Sequence, residues 1–299
     1  MGKQVTELDA LPSFTDTSLL PVHNGAGLKK GLSSQLASYL GTKFSNPNLL
    51  INPDFKINQR GVSSYSAGTS RIYTVDRWGG TQFTATVDSD AITIQANKSG
   101  VALFSQKLEK ATEAGFTVSV HVVSVTGTAK LKTTGIEGTL KAGWNYFTSA
   151  SSTSEITLEI AQGGSLKIDK IKLEQGSVAT SFVAPNLAEE LVKCKRFYQT
   201  TVDYHETDKL RNACIPVYAM NTGSNFRYYF EIEMRIAPTT TFGNSTALNE
   251  VYGGKSIPIT KKEASVIKSR GLQVQLTHGS NTTASKYCYL DAQFDAEIY

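Results

Sequence analysis

Short stretches that alternate apolar and polar residues with a period of two constrain this chain most. Ala91–Gln95, Phe116–Val125, Ala129–Lys132, Ile156–Ala161 and Leu166–Leu173 all read this way. Ala114-Gly115, Thr126-Gly127, Gly138, Ala142-Gly143 and Gly163-Gly164 punctuate them. Successive side chains of a strand point to opposite faces, so such alternation marks strands with one buried face. Roughly seven to nine strands at this spacing, with turn residues between them, predict a sandwich or jelly roll. Residues 45–185 are therefore read as one all-β domain.

The flanks read differently. In residues 1–44, Leu11–Val22 is extended, Asn24–Gly27 signals a turn and Leu28–Lys30 returns. A short helix follows, with Ser33-Ser34 as N-cap, Leu32, Leu36, Tyr39 and Leu40 on one face, and Gly41 as C-cap. A unit this small cannot bury a core alone and needs a partner surface. Residues 186–299 open with a helix over Leu187–Tyr198. Strand candidates follow at Asn212–Tyr218, Arg227–Met234, Leu272–Leu276 and Lys286–Phe294, with Pro238-Thr239-Thr240-Thr241 and Tyr252-Gly253-Gly254 as breaks. The fold class expected is all-β: a jelly-roll sandwich, a second C-terminal β domain and a small N-terminal hairpin-helix unit.

Composition bounds the function. With 40% apolar and 19% charged residues the chain belongs among folded proteins. The net charge of +4 is spread, without the basic face of a nucleic-acid binder. No run is long and apolar enough to predict a membrane span. Cys194, Cys214 and Cys288 lack the CxxC spacing of a zinc site and read as thiols reduced in a cytoplasm. No GxSxG, HExxH or P-loop occurs. Glu231 and Glu233, at i and i+2, could share a strand face as a glycosidase pair, but a solvated outer face explains them better. His121, inside an alternating strand, reads as a structural histidine. No cofactor is expected.

Asn48–Gly61 (NLLINPDFKINQRG), Asp76–Trp78 (DRW) and Lys172–Pro185 (KLEQGSVATSFVAP) together carry a family likeness. They resemble the jelly-roll domain of phage tail fibres and related virion appendages, which is similar to carbohydrate-binding modules. The stretch TDTSLLPVHNGAGLKK looks like the N-terminal attachment unit of such fibres, and Met234–Thr239 more weakly like their C-terminal domains. The resemblance implies that Asn52-Pro53-Asp54-Phe55 lies in the first strand and that Phe55 enters the core. It implies a buried Trp78, with Asp76 and Arg77 as polar ties. It also makes Trp144-Asn145-Tyr146-Phe147 a middle strand whose aromatic packs between sheets. Trp78 and Trp144 are accordingly both read as core. Related modules hold a calcium with a Glu and an Asp. Asp169 sits where that Asp would be, but Lys56 stands near the Glu position, and a hard cation disfavours a neighbouring ammonium.

The function implied is a non-enzymatic tail fibre or receptor-binding protein of a bacteriophage virion, assembled in the host bacterial cytoplasm. Its partners would be itself, as a homotrimer, other virion proteins through residues 1–44, and a host cell-surface glycan; nucleic acid and membrane insertion are not expected. The alternatives are a head fibre or capsid decoration protein, or an accessory module of a carbohydrate-active enzyme. Glycan contacts are expected on the distal loops of residues 186–299, at Asn221, Asn225, Asn249, Tyr252 and His278, because amide- and hydroxyl-rich loops on rigid strands are common recognition surfaces.

Overall fold

The computed structural model describes residues 19–23, 28–32, 36, 45–201, 214–217, 219–220, 223–244, 246–250, 256–266, 268–278 and 286–298. A hairpin comes first, β1 (Leu19–His23) against β2 (Leu28–Leu32), in the place expected; the helix expected after it lies, apart from Leu36, outside the described residues. The sandwich follows: β3 (Ser64–Ala67), β4 (Ile72–Tyr73), β5 (Gly79–Thr81), β6 (Phe83–Val87), β7 (Ile92–Ala96), β8 (Ala102–Lys107), β9 (Phe116–Thr126), β10 (Ala129–Thr133), β11 (Ile136–Thr139), β12 (Gly143–Ser149), β13 (Glu155–Ile160) and β14 (Ser165–Gln175). They form two six-stranded antiparallel sheets, ordered β11-β10-β13-β8-β5-β4 and β12-β9-β14-β7-β6-β3. The all-β sandwich read from the alternation is what the chain builds.

Side-chain parity makes the core. Phe116, Val118, Val120 and Val122 of β9 face Leu131, Ile156, Leu158 and Ile160 of the other sheet, all buried. Removing that apolar area from water is the main stabilising term. β14 keeps its core face across a change of parity: Leu166 and Ile168 point inward, and so do Ile171 and Leu173. A register shift at Asp169 absorbs the extra residue as a β-bulge. Phe55 and Trp78 are buried as expected, 5.2 Å apart, with Trp78 stacked on Phe104 at 5.6 Å. However, Asn52-Pro53-Asp54-Phe55 is a buried turn and not a strand. Asn52 and Phe55 both take positive φ there, 54° and 60°. The Asn52 amide holds the turn by donating to Ile57 O and Asp76 O and accepting from Ile57 N.

Helix α1 (Leu187–Lys195) begins where expected, capped by Asn186, whose side chain accepts from Ala188 N and Glu189 N. It ends three residues early, because Tyr198 starts β15 (Tyr198–Thr200). Then come β16 (Cys214–Val217), β17 (Ala219–Met220), β18 (Gly223–Tyr229), β19 (Thr239–Phe242), β20 (Ala247–Glu250), β21 (Ser256–Ile257), β22 (Ile259–Val266), β23 (Gly271–His278), β24 (Lys286–Tyr289) and β25 (Ala292–Asp295). They pair as three small antiparallel sheets around Phe226, Leu248, Leu272, Val274, Leu276 and Phe294. Three sequence expectations need correction. Thr239–Phe242 is not a break but pairs with β25. The strand expected over Lys286–Phe294 is two, belonging to different sheets. The strand expected to Met234 stops at Tyr229, so Glu231 and Glu233 share no strand face: Glu231 pairs with Lys195, and Glu233 with Ser269 and Arg270.

The sandwich and the C-terminal domain meet across buried charge. Asp76-Arg77-Trp78 sits at that junction, with Arg77 in a left-handed conformation at φ 70°. The Arg77 guanidinium pairs with Glu297, donates to Lys107 O at 2.6 Å and lies 3.6 Å from the centroid of the Phe197 ring. Arg77 and Glu297 are 1% and 0% exposed at their side chains. Asp76 accepts from the backbone and amide nitrogens of Gln59, whose amide also donates to Tyr198 O at 2.9 Å. Burial pushes the Asp76 carboxyl up to about 6, against the opposing pull of Arg60 and of the Gln59 hydrogen bonds. Asn52 N donates to Glu190 of α1 at 2.6 Å. The polar ties expected of Asp76 and Arg77 are present, and they join the two domains.

Candidate aromatic binding site

The outer face of the β12 end of its sheet carries the candidate site. Along β12, Asn145 and Phe147 turn toward the sandwich, and Phe147 packs on the core over Gly138. Parity then sends Trp144 and Tyr146 outward. They are 39% and 57% exposed, with ring centroids 6.0 Å apart and planes within 10° of parallel. Trp144 is therefore not the inter-sheet aromatic the sequence suggested, and β12 is an edge strand, not a middle one. Phe147 holds the core place expected of Trp144.

Register supplies the rest. Trp144 lies opposite His121 of β9, and His121 opposite Lys170 of β14. The next row is Tyr146, Ser119 and Lys172. The bulge at Asp169 puts this carboxylate beside both neighbours: Oδ1 is 2.5 Å from His121 Nδ1, and Oδ2 accepts from Lys170 Nζ at 2.7 Å. Burial pushes Asp169 up, but the hydrogen bonds from Lys170 and His121 outweigh it and hold the carboxyl below its usual range. The His121 ring packs against Trp144 at 5.0 Å and helps fix the indole.

The segment after β14 folds back over this face. Lys172 and Glu174, 1% and 0% exposed at their side chains, are sealed beneath it. Lys172 Nζ donates to Ser45 Oγ, Thr180 Oγ1 and Ser181 O, while Glu174 accepts from Thr180. Buried charges persist where they are paired and hydrogen-bonded, as here. The fold-back brings Phe182 within 6.4 Å of Trp144. Trp144, Tyr146 and Phe182, with Thr180, Ser181, Ala179 and Lys170, line an open cavity of about 490 Å³. Large exposed rings over a concave, hydroxyl-edged surface can stack on the apolar face of a ring-shaped ligand, while the hydroxyls and the ammonium meet its polar edge.

Of the distal candidates, the three among the described residues do not share one exposed surface. Asn221 and Tyr252 lie outside the described residues. Asn225 is exposed on β18, and Asn249 is half-buried on β20, in a different sheet. His278, expected on an exposed loop, ends β23 and is 1% exposed, with Nε2 3.1 Å from Ser224 Oγ. Ser224 is buried, so alternation along β18 turns Asn225 to the opposite face from the His278 contact. Sequence reading missed Tyr146, Phe182, Lys170 and the bulge. One signal was available: Trp144 and Phe147 are an odd number of residues apart, so both cannot face the core of one regular strand.

No protein-family model and no curated protein matches this chain. Among solved structures, a family 29 carbohydrate-binding module is 13% identical; the alignment covers 42% of this chain and 97% of that one, with a TM-score of 0.29. Another module of that family, complexed with cellulohexaose, is 12% identical over 42% and 99% of the two chains, at a TM-score of 0.29. A family 29 module from Piromyces equi is 10% identical over 38% and 93%, at 0.24. Likeness at that level fixes neither a fold nor a ligand.

Proposed function

We propose that this chain is a non-enzymatic saccharide-binding protein of a virion appendage, and that Trp144 and Tyr146 form its sugar contact. The observation that carries the sugar contact is the pair of near-parallel, solvent-exposed rings on a strand hydrogen-bonded along its length to β9. Contiguous exposed apolar rings on a folded surface mark interaction sites. The contact would then lie on the sandwich and not on the distal loops of residues 186–299. Asp169, joined to the His121 ring that packs on Trp144, is committed to His121 and Lys170, which suits a positioning role better than proton transfer.

The appendage part rests on the resemblance of Asn48–Gly61, Asp76–Trp78 and Lys172–Pro185 to phage tail fibre domains. It includes docking to the particle through residues 1–44, assembly in a host bacterial cytoplasm and a homotrimer, in which three weak sites act together on a glycan-coated surface. An array of bacterial surface polysaccharides, probed with wild type and Trp144→Ala, tests the binding. Retention of wild type on a subset of glycans, lost in the variant, is expected; equal retention of both refutes the site. Light scattering tests the trimer, and a monomer at high concentration refutes it.

A further inference from the structure

We infer that the aromatic cavity selects an acidic saccharide, whose anionic group meets the Lys170 ammonium. This deepens the saccharide reading above and depends on it; what it adds is the charge class of the ligand. Of the residues lining the cavity, Lys170 is the charged one among the described residues, and no carboxylate lines it. A site for neutral sugar would use carboxylate or amide oxygens to accept from ring hydroxyls. Here the nearby carboxylate is withdrawn. Asp169 is 17% exposed at its side chain, and its two oxygens are engaged by His121 and Lys170. Lys170 stands further out, at 40% exposure. An arriving ligand meets the ammonium before the carboxylate.

Asp169 also prepares the cation. An ammonium carries three donors, and one is spent on Asp169 at 2.7 Å, which pins the flexible stem. The donors left over can serve a carboxylate or phosphate oxygen without the full entropy cost of ordering a free lysine. The neighbouring anion is disarmed: Glu174 is buried under Thr180, paired with Lys172 at 3.2 Å, and does not face the cavity. The rings would cover the sugar's apolar face while its acidic substituent lies over the bulge.

The test compares oligogalacturonate with a neutral galactose oligomer of equal length, by calorimetry at low and moderate salt, on the full chain and on Lys170→Gln and Lys170→Arg. Wild type is expected to bind the acidic oligomer about tenfold or more tightly, as a charge-assisted hydrogen bond allows. That preference should fall with salt, vanish in Lys170→Gln and return in Lys170→Arg. Equal binding of the two oligomers, or a preference that survives Lys170→Gln, overturns this inference and leaves the saccharide reading standing. Failure to bind either oligomer, with no saccharide retained on the polysaccharide array, overturns both.

Discussion

Removing Glu297 should loosen the join between the two domains before it unfolds either. The Glu297 carboxylate is buried against the Arg77 guanidinium and accepts from Arg77 N at 3.2 Å, with Arg60 3.8 Å away. Taking one partner from a buried pair costs about 3–5 kcal/mol, most of it the penalty of the stranded charge. Arg77 would keep Lys107 O and the Phe197 ring, so Glu297→Ala belongs at the lower end, about 3 kcal/mol. Arg77→Met should cost a similar amount. The double variant strands neither charge and should lose at least about 2 kcal/mol less than the sum of the singles. Urea unfolding reads this in two signals. Both tryptophans, Trp78 and Trp144, lie in the sandwich, so their emission follows that domain alone, whereas circular dichroism follows all strands. Wild type should show coincident transitions, and Glu297→Ala separated ones. If the single losses add to within about 0.5 kcal/mol in the double variant, the pair is not coupled and the account of the junction is wrong.

The same junction should respond to pH. The Asp76 carboxyl, raised from 3.8 to about 6, binds its proton more tightly folded than unfolded. Its contribution is therefore fully present below about 4 and lost as pH rises through about 6, amounting to roughly 3 kcal/mol. Stability of wild type relative to Asp76→Asn, measured by urea midpoints from pH 4 to 7, should fall with pH over that window; a flat difference would exclude Asp76 as the source. At the edge of the sandwich, a Cβ at Gly138 would lie 2.0 Å from the Phe147 ring, whereas one at Gly68 meets nothing within 4 Å. Gly138→Ala should cost about 1–3 kcal/mol by overpacking, and Gly68→Ala far less. Equal melting temperatures for the two variants would contradict that packing.

Alternation made the sandwich legible. Phe116–Val125 and Leu166–Leu173 announced two long strands that supply eight buried residues of the sandwich core, because burial on one face imposes a period of two. The DRW segment was legible as a buried Trp with polar ties, but not as an interdomain joint, since Glu297 and Phe197 are remote in sequence. Strands such as Ile259–Val266, whose middle is Thr260-Lys261-Lys262-Glu263, gave no apolar signal because they owe their place to pairing with β23. The binding face was missed for a related reason. Trp144 reads as core by its strand-like context and family resemblance, and only its parity against Phe147 says otherwise. By resemblance Asp169 stands where related modules place a calcium ligand, an assignment that Lys56 already disfavours. Its role follows from the shift of parity between Ile168 and Ile171, which forces a bulge there and turns its carboxylate to His121. Phe182 joins the site through a fold-back that no local pattern announces.

Emission of Trp144 during saccharide titration reports on the ring contact itself. Trp78 is 0% exposed and Trp144 is 39% exposed, so acrylamide should quench the second and spare the first. A saccharide retained on the array should shift the emission saturably and shield it from acrylamide. Trp144→Phe should keep the fold and lose that response. Binding that leaves Trp144 as open to acrylamide as in the unliganded protein would contradict the account and move the contact elsewhere.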